Sequence, residues 1–140
     1  MRIEFTIPYI VQPKQADRSR VVQPVDGKPF SHHYQPKKVV DNARALAALC
    51  AEYRPEIPML GPIRLWLEFR YPWRNSEPKK NRHRIKAKDT KPDLDNLEKQ
   101  LVDVLERAGF FTNDSQVAEK RSVKTWGEQG FVSVIIETMP

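Results

Sequence analysis

Residues 91–108, KPDLDNLEKQLVDVLERA, decide how the rest of the chain is read. Pro92 pushes Lys91 toward an extended conformation, and Asp93 behind it is well placed as a helix N-cap, where a short carboxylate accepts a backbone N–H left unpaired in the first turn. The helix therefore starts near Leu94. Leu94, Leu97, Leu101, Val104, Leu105 and Ala108 recur at three- and four-residue spacing and form a stripe to be buried, while Asp95, Lys99, Asp103 and Glu106 form a polar one. Asp93 and Asp95 lie two apart and converge only because they stand at a helix entrance. Gly109 caps the far end.

Strand patterns flank this helix. Upstream, Ile63, Leu65, Leu67, Phe69 and Tyr71 alternate with Arg64, Trp66, Glu68 and Arg70, the period of a strand with one buried face. Downstream, residues 117–126 and 131–138 read as two strands joined by a turn with Gly127 and Gly130. Residues 2–7 alternate as a first strand, stopped at Pro8. Residues 36–54 carry Val39, Ala43, Leu46, Cys50 and Tyr53 at helical spacing, and Pro55 with Pro58 ends that run. The order βαβαββ predicts an α+β fold, a mixed sheet of about four strands with two main helices. At 140 residues the chain is expected to form a single domain, 1–140, with basic loops at about 9–35 and 73–91.

Chemistry concentrates at the helix entrance and just beyond its end. Asp93, Asp95 and, in NDSQV, Asp114 supply carboxylate oxygens, the ligands Mg²⁺ and Mn²⁺ prefer, and Lys99 lies one turn from Asp95. Each has an ordinary explanation as well. First-turn acids stabilise a helix dipole, Asp95 with Lys99 is an i,i+4 pair, and Asp114 suits an Asx turn. Their neighbourhood weighs against treating them singly. Residues 1–91 carry 19 Lys and Arg against 9 Asp and Glu, whereas residues 92–140 carry 5 against 9. A basic surface beside an acidic pocket suits a protein that grips phosphate backbones and holds a divalent cation.

Residues 74–91 hold Arg74, Lys79, Lys80, Arg82, Arg84, Lys86, Lys88 and Lys91 against only Glu77 and Asp89. Such a segment predicts strong, salt-sensitive, sequence-blind DNA binding and mobility in the absence of DNA. Lys14, Arg18, Arg20 and Lys28 make a second candidate contact, and Phe30, Tyr34 and Trp73 are candidates for stacking on bases or packing on the body. His32, His33 and His83 match no zinc spacing. No phosphate loop, dinucleotide fingerprint or serine elbow occurs, so no nucleotide cofactor is expected. Cys50 is the single cysteine, and no stretch reaches membrane-span length, so a reduced cytoplasmic setting without membrane attachment is expected.

KPDLDN at 91–96, Lys99 six residues after the first aspartate and NDSQV around Asp114 resemble the signature of RusA-type Holliday junction resolvases. The match is specific over residues 91–118 and looser elsewhere. Asn113 stands where many members carry an acid, and Pro13 and Lys14 are separated from Arg18 and Arg20, which the family often joins in one compact run. The resemblance implies a homodimeric Mg²⁺- or Mn²⁺-dependent endodeoxyribonuclease of bacterial, phage or prophage type that nicks branched DNA, four-way junctions above all, in recombination and repair. It assigns Asp93, Asp95 and Asp114 as catalytic, metal-holding aspartates and Lys99 as the essential lysine. The alternatives are a non-catalytic basic DNA-binding module and a nuclease of other branched DNA such as flaps and forks. From Asp95 to Ala108 the helix axis runs about 20 Å. The next six residues reach at most roughly 20 Å. A site shared between subunits is therefore expected, with Asp114 approaching the partner's helix entrance.

Overall fold

The computed structural model describes residues 1–11, 18–34 and 37–140 and, of residues 18, 19, 32–34 and 39, the backbone. Strand β1 (Arg2–Ile7) is followed by β2 (Arg18–Val22), β3 (Phe30–Tyr34), helix α1 (Lys37–Ala51), β4 (Ile63–Pro72), β5 (Lys86–Ala87), α2 (Leu94–Ala108), β6 (Val117–Gly127) and β7 (Phe131–Thr138). The main sheet has the order β1-β7-β4-β6-β5. Its one parallel pairing is β4 with β6, and α2 makes the crossover between them. β1 with β7, β7 with β4 and β5 with β6 are antiparallel. The expected α+β class, mixed sheet and two helices are present.

Alternation sets which face each strand buries. Ile63, Leu65, Leu67 and Phe69 of β4 join Phe5 and Ile7 of β1 and Val132, Val134 and Ile136 of β7 in one core with Leu46 and Cys50 of α1 and Leu97, Leu101, Val104 and Leu105 of α2. Each such aliphatic or phenyl group contributes roughly 1.5–3 kcal/mol by leaving water. Burial pushes the Cys50 thiol up to about 12. On the other, half-exposed face, Arg64 bridges Glu119 and Glu137, each at 2.8 Å, while Arg70 pairs with Glu68.

β6 departs from this scheme. Register pairs Leu65 with Lys120, Leu67 with Ser122, Phe69 with Lys124 and Tyr71 with Trp126, so the helix-facing row of β6 is mostly polar. Lys120 uses that position to reach Glu98 of α2 at 2.9 Å.

Two connections hold more structure than expected. The first contains the hairpin β2–β3, with Val22 opposite Phe30, and Gln23 ties its loop by donating to the carbonyls of Pro24 and Gly27. In the second, β5 pairs Lys86 with Trp126 and Ala87 with Thr125. α1 ends at Ala51 rather than residue 54. Turn bonds from the Tyr53 and Arg54 amides to Cys50 and Ala51 finish the run before Pro55, whose ring disfavours helical geometry in the residue ahead of it.

Candidate active site

Asp93 stands at the N-cap position of α2 with extended backbone, and its carbonyl accepts the Leu97 amide at 3.2 Å. Its side chain makes no capping bond, contrary to expectation, which leaves the carboxylate available for other work. Among the described residues, the Asp95 side chain accepts only the adjacent Asn96 amide, at 3.0 Å. The i,i+4 pair of Asp95 with Lys99 does not close, and Lys99 has no hydrogen bond or ion pair among the described residues.

Asp114 reaches the site from the opposite direction. Gly109 ends α2 in the left-handed conformation, a region open to glycine at little cost, and donates to the Leu105 and Glu106 carbonyls. Phe110 and Phe111 then anchor in the core beside Met59, whose amide bonds the Phe110 carbonyl at 2.8 Å. A short 3₁₀ turn, Asp114–Gln116, follows. Asn113 caps it through Ser115 at 2.8 Å, and Gln116 fastens it to the body. The Gln116 carbonyl oxygen accepts from the Thr112 amide and hydroxyl and the Asn113 amide, and its amide donates to the Met59 and Gly61 carbonyls at 2.9 and 3.0 Å.

Asp95, Lys99, Asp103 and Asp114 line one open cleft of about 410 Å³ between α2 and the start of β6. Asp95 and Asp114 of one chain thus line the same cleft, although the helix length and the reach of the chain beyond it point to a shared site. The cleft runs from Asp95 to Asp103, about 12 Å of helix axis. Asp114 can enter along its side without retracing the whole helix. Asp93 borders an adjoining cleft with Lys91 and Pro92, and Asn96 lines both. Among the described residues no three His, Cys, Asp or Glu side chains gather as a ready metal cluster. The donors nevertheless fit a hard divalent cation in kind. Mg²⁺ commonly takes one or two carboxylates, keeps several waters and completes its shell with phosphate oxygens.

The basic segment leading into this site is folded rather than loose. Trp73 stacks on Trp126, with centroids 5.8 Å apart, and donates its indole N–H to the Arg84 carbonyl at 3.1 Å. Arg82 is spent on the Glu77 and Asn75 carbonyls at 2.9 and 3.0 Å. Lys88 is buried, with its amine 3.8 Å from the Trp126 ring centroid and donating to the Thr90 hydroxyl at 2.7 Å. Burial, and behind it Lys124 and Arg74, hold the Lys88 ammonium below the ordinary lysine value, with Asp89 opposing. Lys88 therefore packs the segment onto the sheet instead of facing a ligand. Arg74, Lys79, Lys80, Arg84, Lys86 and Lys91 remain exposed, and Arg74 lies over the Trp126 ring at 5.1 Å.

Of the second basic candidates, Lys14 and the side chain of Arg18 lie outside the described residues, as does the Tyr34 side chain; Arg20 and Phe30 are exposed on the hairpin. Trp73 packs on the body. Sequence reading passes over Gln116 and Lys124. The first is detectable, because Asn113 with Gln116 three residues on is a capping-box pattern. The second has no signal, since its partners are backbone carbonyls. No helix among the described residues is long and apolar enough to cross a membrane.

The protein YqaN of Bacillus subtilis strain 168, described as uncharacterised, is 28% identical over 111 residues, 75% of this chain and 78% of that one. A family model described as Endodeoxyribonuclease RusA matches residues 11–137, spanning α2, the Asp114 turn and the basic segment together. With nearly the whole length matched, the chain belongs to the RusA endodeoxyribonuclease family.

Proposed function

We propose that this chain is a divalent-cation-dependent endonuclease that resolves four-way DNA junctions, as a homodimer, during recombination and repair. One observation carries the reading: Asp95, Lys99 and Asp114 line a single open cleft at the end of an exposed basic segment. Asp95 and Asp114, with Asp93 from the adjoining cleft, would hold Mg²⁺ or Mn²⁺. Such an ion, when bound, supplies an activated water and neutralises charge growing on the phosphate. Lys99 offers a compact cation with three donors and no competing partner among the described residues, suited to a phosphate oxygen beside the carboxylates. Arg74, Lys79, Lys80, Arg84, Lys86 and Lys91 grip flanking phosphates and offset the repulsion that the acidic cleft exerts on DNA. A four-way junction has approximate two-fold symmetry, and an isologous dimer presents two equivalent clefts to two equivalent strands.

The test is nicking of an end-labelled synthetic four-way junction, with matched flap, fork and linear duplex, in the presence and absence of Mg²⁺ or Mn²⁺. The native chain is expected to make paired, cation-dependent nicks in the junction, and Asp95→Asn to bind it without cutting. Binding without cleavage under every cation would replace this reading with a DNA-binding module. Preferential cutting of flaps or forks would reassign the substrate.

A further inference from the structure

Lys124 lies on the helix-facing row of β6, opposite Phe69 of β4. Its ammonium donates to the Thr90 carbonyl at 2.5 Å and to the Pro92 carbonyl at 2.6 Å. Those two residues bracket Lys91 and lead directly into Asp93 and Asp95, the carboxylates at the mouth of α2. The backbone of the same strand residue is engaged as well, because the Lys124 carbonyl accepts the Lys88 amide at 2.9 Å. Lys88 in turn holds the Thr90 hydroxyl. One strand position thus pins the segment before α2 at three points. Charge-assisted bonds to two carbonyls of one short segment fix its path more firmly than neutral bonds would.

We infer that Lys124 is a positioning residue: through the Thr90 and Pro92 carbonyls it sets where Asp93 and Asp95 stand and so how well the site takes up its divalent cation. This rests on the endonuclease reading for its consequence in catalysis, but its structural core can be tested apart from activity. Partners behind metal ligands typically influence cation affinity by about 10–100-fold when removed.

The experiment compares the full chain with Lys124→Met and Lys124→Arg in four measurements: amide hydrogen exchange across residues 91–97, Mn²⁺ binding by electron paramagnetic resonance, junction binding without divalent cation, and single-turnover nicking against Mn²⁺ concentration. Lys124→Met is expected to speed exchange in that segment, weaken Mn²⁺ binding by about 10–100-fold and slow nicking in a way that added Mn²⁺ partly restores. Cation-free junction binding should not change, and Lys124→Arg, which keeps charge and donors, should recover most of the loss. Unchanged exchange with unchanged Mn²⁺ affinity overturns the inference. So does weakened junction binding at native Mn²⁺ affinity, which would make Lys124 a DNA contact. If Lys124→Met does not fold, Lys124→Gln, a shorter neutral donor, takes its place under the same criteria. Should the native chain bind junctions and never nick them, the endonuclease reading fails, while the exchange measurement still decides the role of Lys124.

Discussion

Asp93 separates structural from chemical work at the level of one side chain. An aspartate before a helix ordinarily caps it, and replacing such a cap by alanine costs about 0.5–2 kcal/mol. Here the position is right but the capping bond is missing, and the carboxylate borders a cleft instead. Asp93→Ala is therefore expected to change the unfolding free energy by no more than about 0.5 kcal/mol, the range of an ordinary surface substitution. Junction nicking should nonetheless be lost. Urea unfolding beside the nicking assay checks both halves, and a large loss of stability would return Asp93 to a capping role. Gln116 shows the reverse economy. Three bonds of its side chain close the Asp114 turn on Thr112 and Asn113 and two fasten it to the carbonyls of Met59 and Gly61, so a residue with no part in the chemistry decides where a carboxylate of the site can stand.

The elements are legible in proportion to the apolar surface they bury. β1, β4, α2 and β7 announce themselves by period, because each turns one row of side chains to the core, and their ends coincide closely with the expected ones. The β2–β3 hairpin has no apolar alternation in its sequence, so Arg18–Val22 and Phe30–Tyr34 read as connection even though Pro24, Asp26, Gly27 and Pro29 between them are a turn signal. The 74–91 segment makes more contacts with the body than its composition suggests, for a related reason. Its charges predict solvation, but Trp73, Trp126 and the buried Lys88 supply an anchor that charge counting does not register. This divides the basic residues into two kinds with separable behaviour. Replacing Lys79 and Lys80 together by alanine should lower the slope of log affinity against log salt by about 2, near 0.9 for each phosphate left without its lysine. Lys88→Met should leave that slope unchanged, since its amine lies over Trp126 and never meets the backbone of DNA. Titrating junction binding against salt for the three proteins checks the division, and a reduced slope for Lys88→Met would put that lysine back on the surface.

Across the whole molecule, charge and topology place the acidic cleft at the seam between α2 and β6, with the basic segment running into the start of α2. Composition carries the asymmetry, and spacing carries Asp95, Lys99 and Asp114, but neither reveals that one chain brings them together. The count of extended residues after Ala108 measures the distance back to the first turn of α2. The cleft instead runs along the helix, so Asp114 and Asp95 line it from different positions. A homodimer would then carry two complete sites rather than two composite ones. Pairing an Asp95→Asn chain with an Asp114→Asn chain, separately tagged and purified as the mixed dimer, is expected to give no nicking, because each cleft lacks one carboxylate. A native chain paired with Asp95→Asn should nick one strand of the junction and leave it unresolved. Restored cutting in the first mixture would mean that Asp114 serves the partner's cleft in solution. Failure of the two tagged chains to purify together would count against the dimer itself and leave a single cleft to make both nicks in turn.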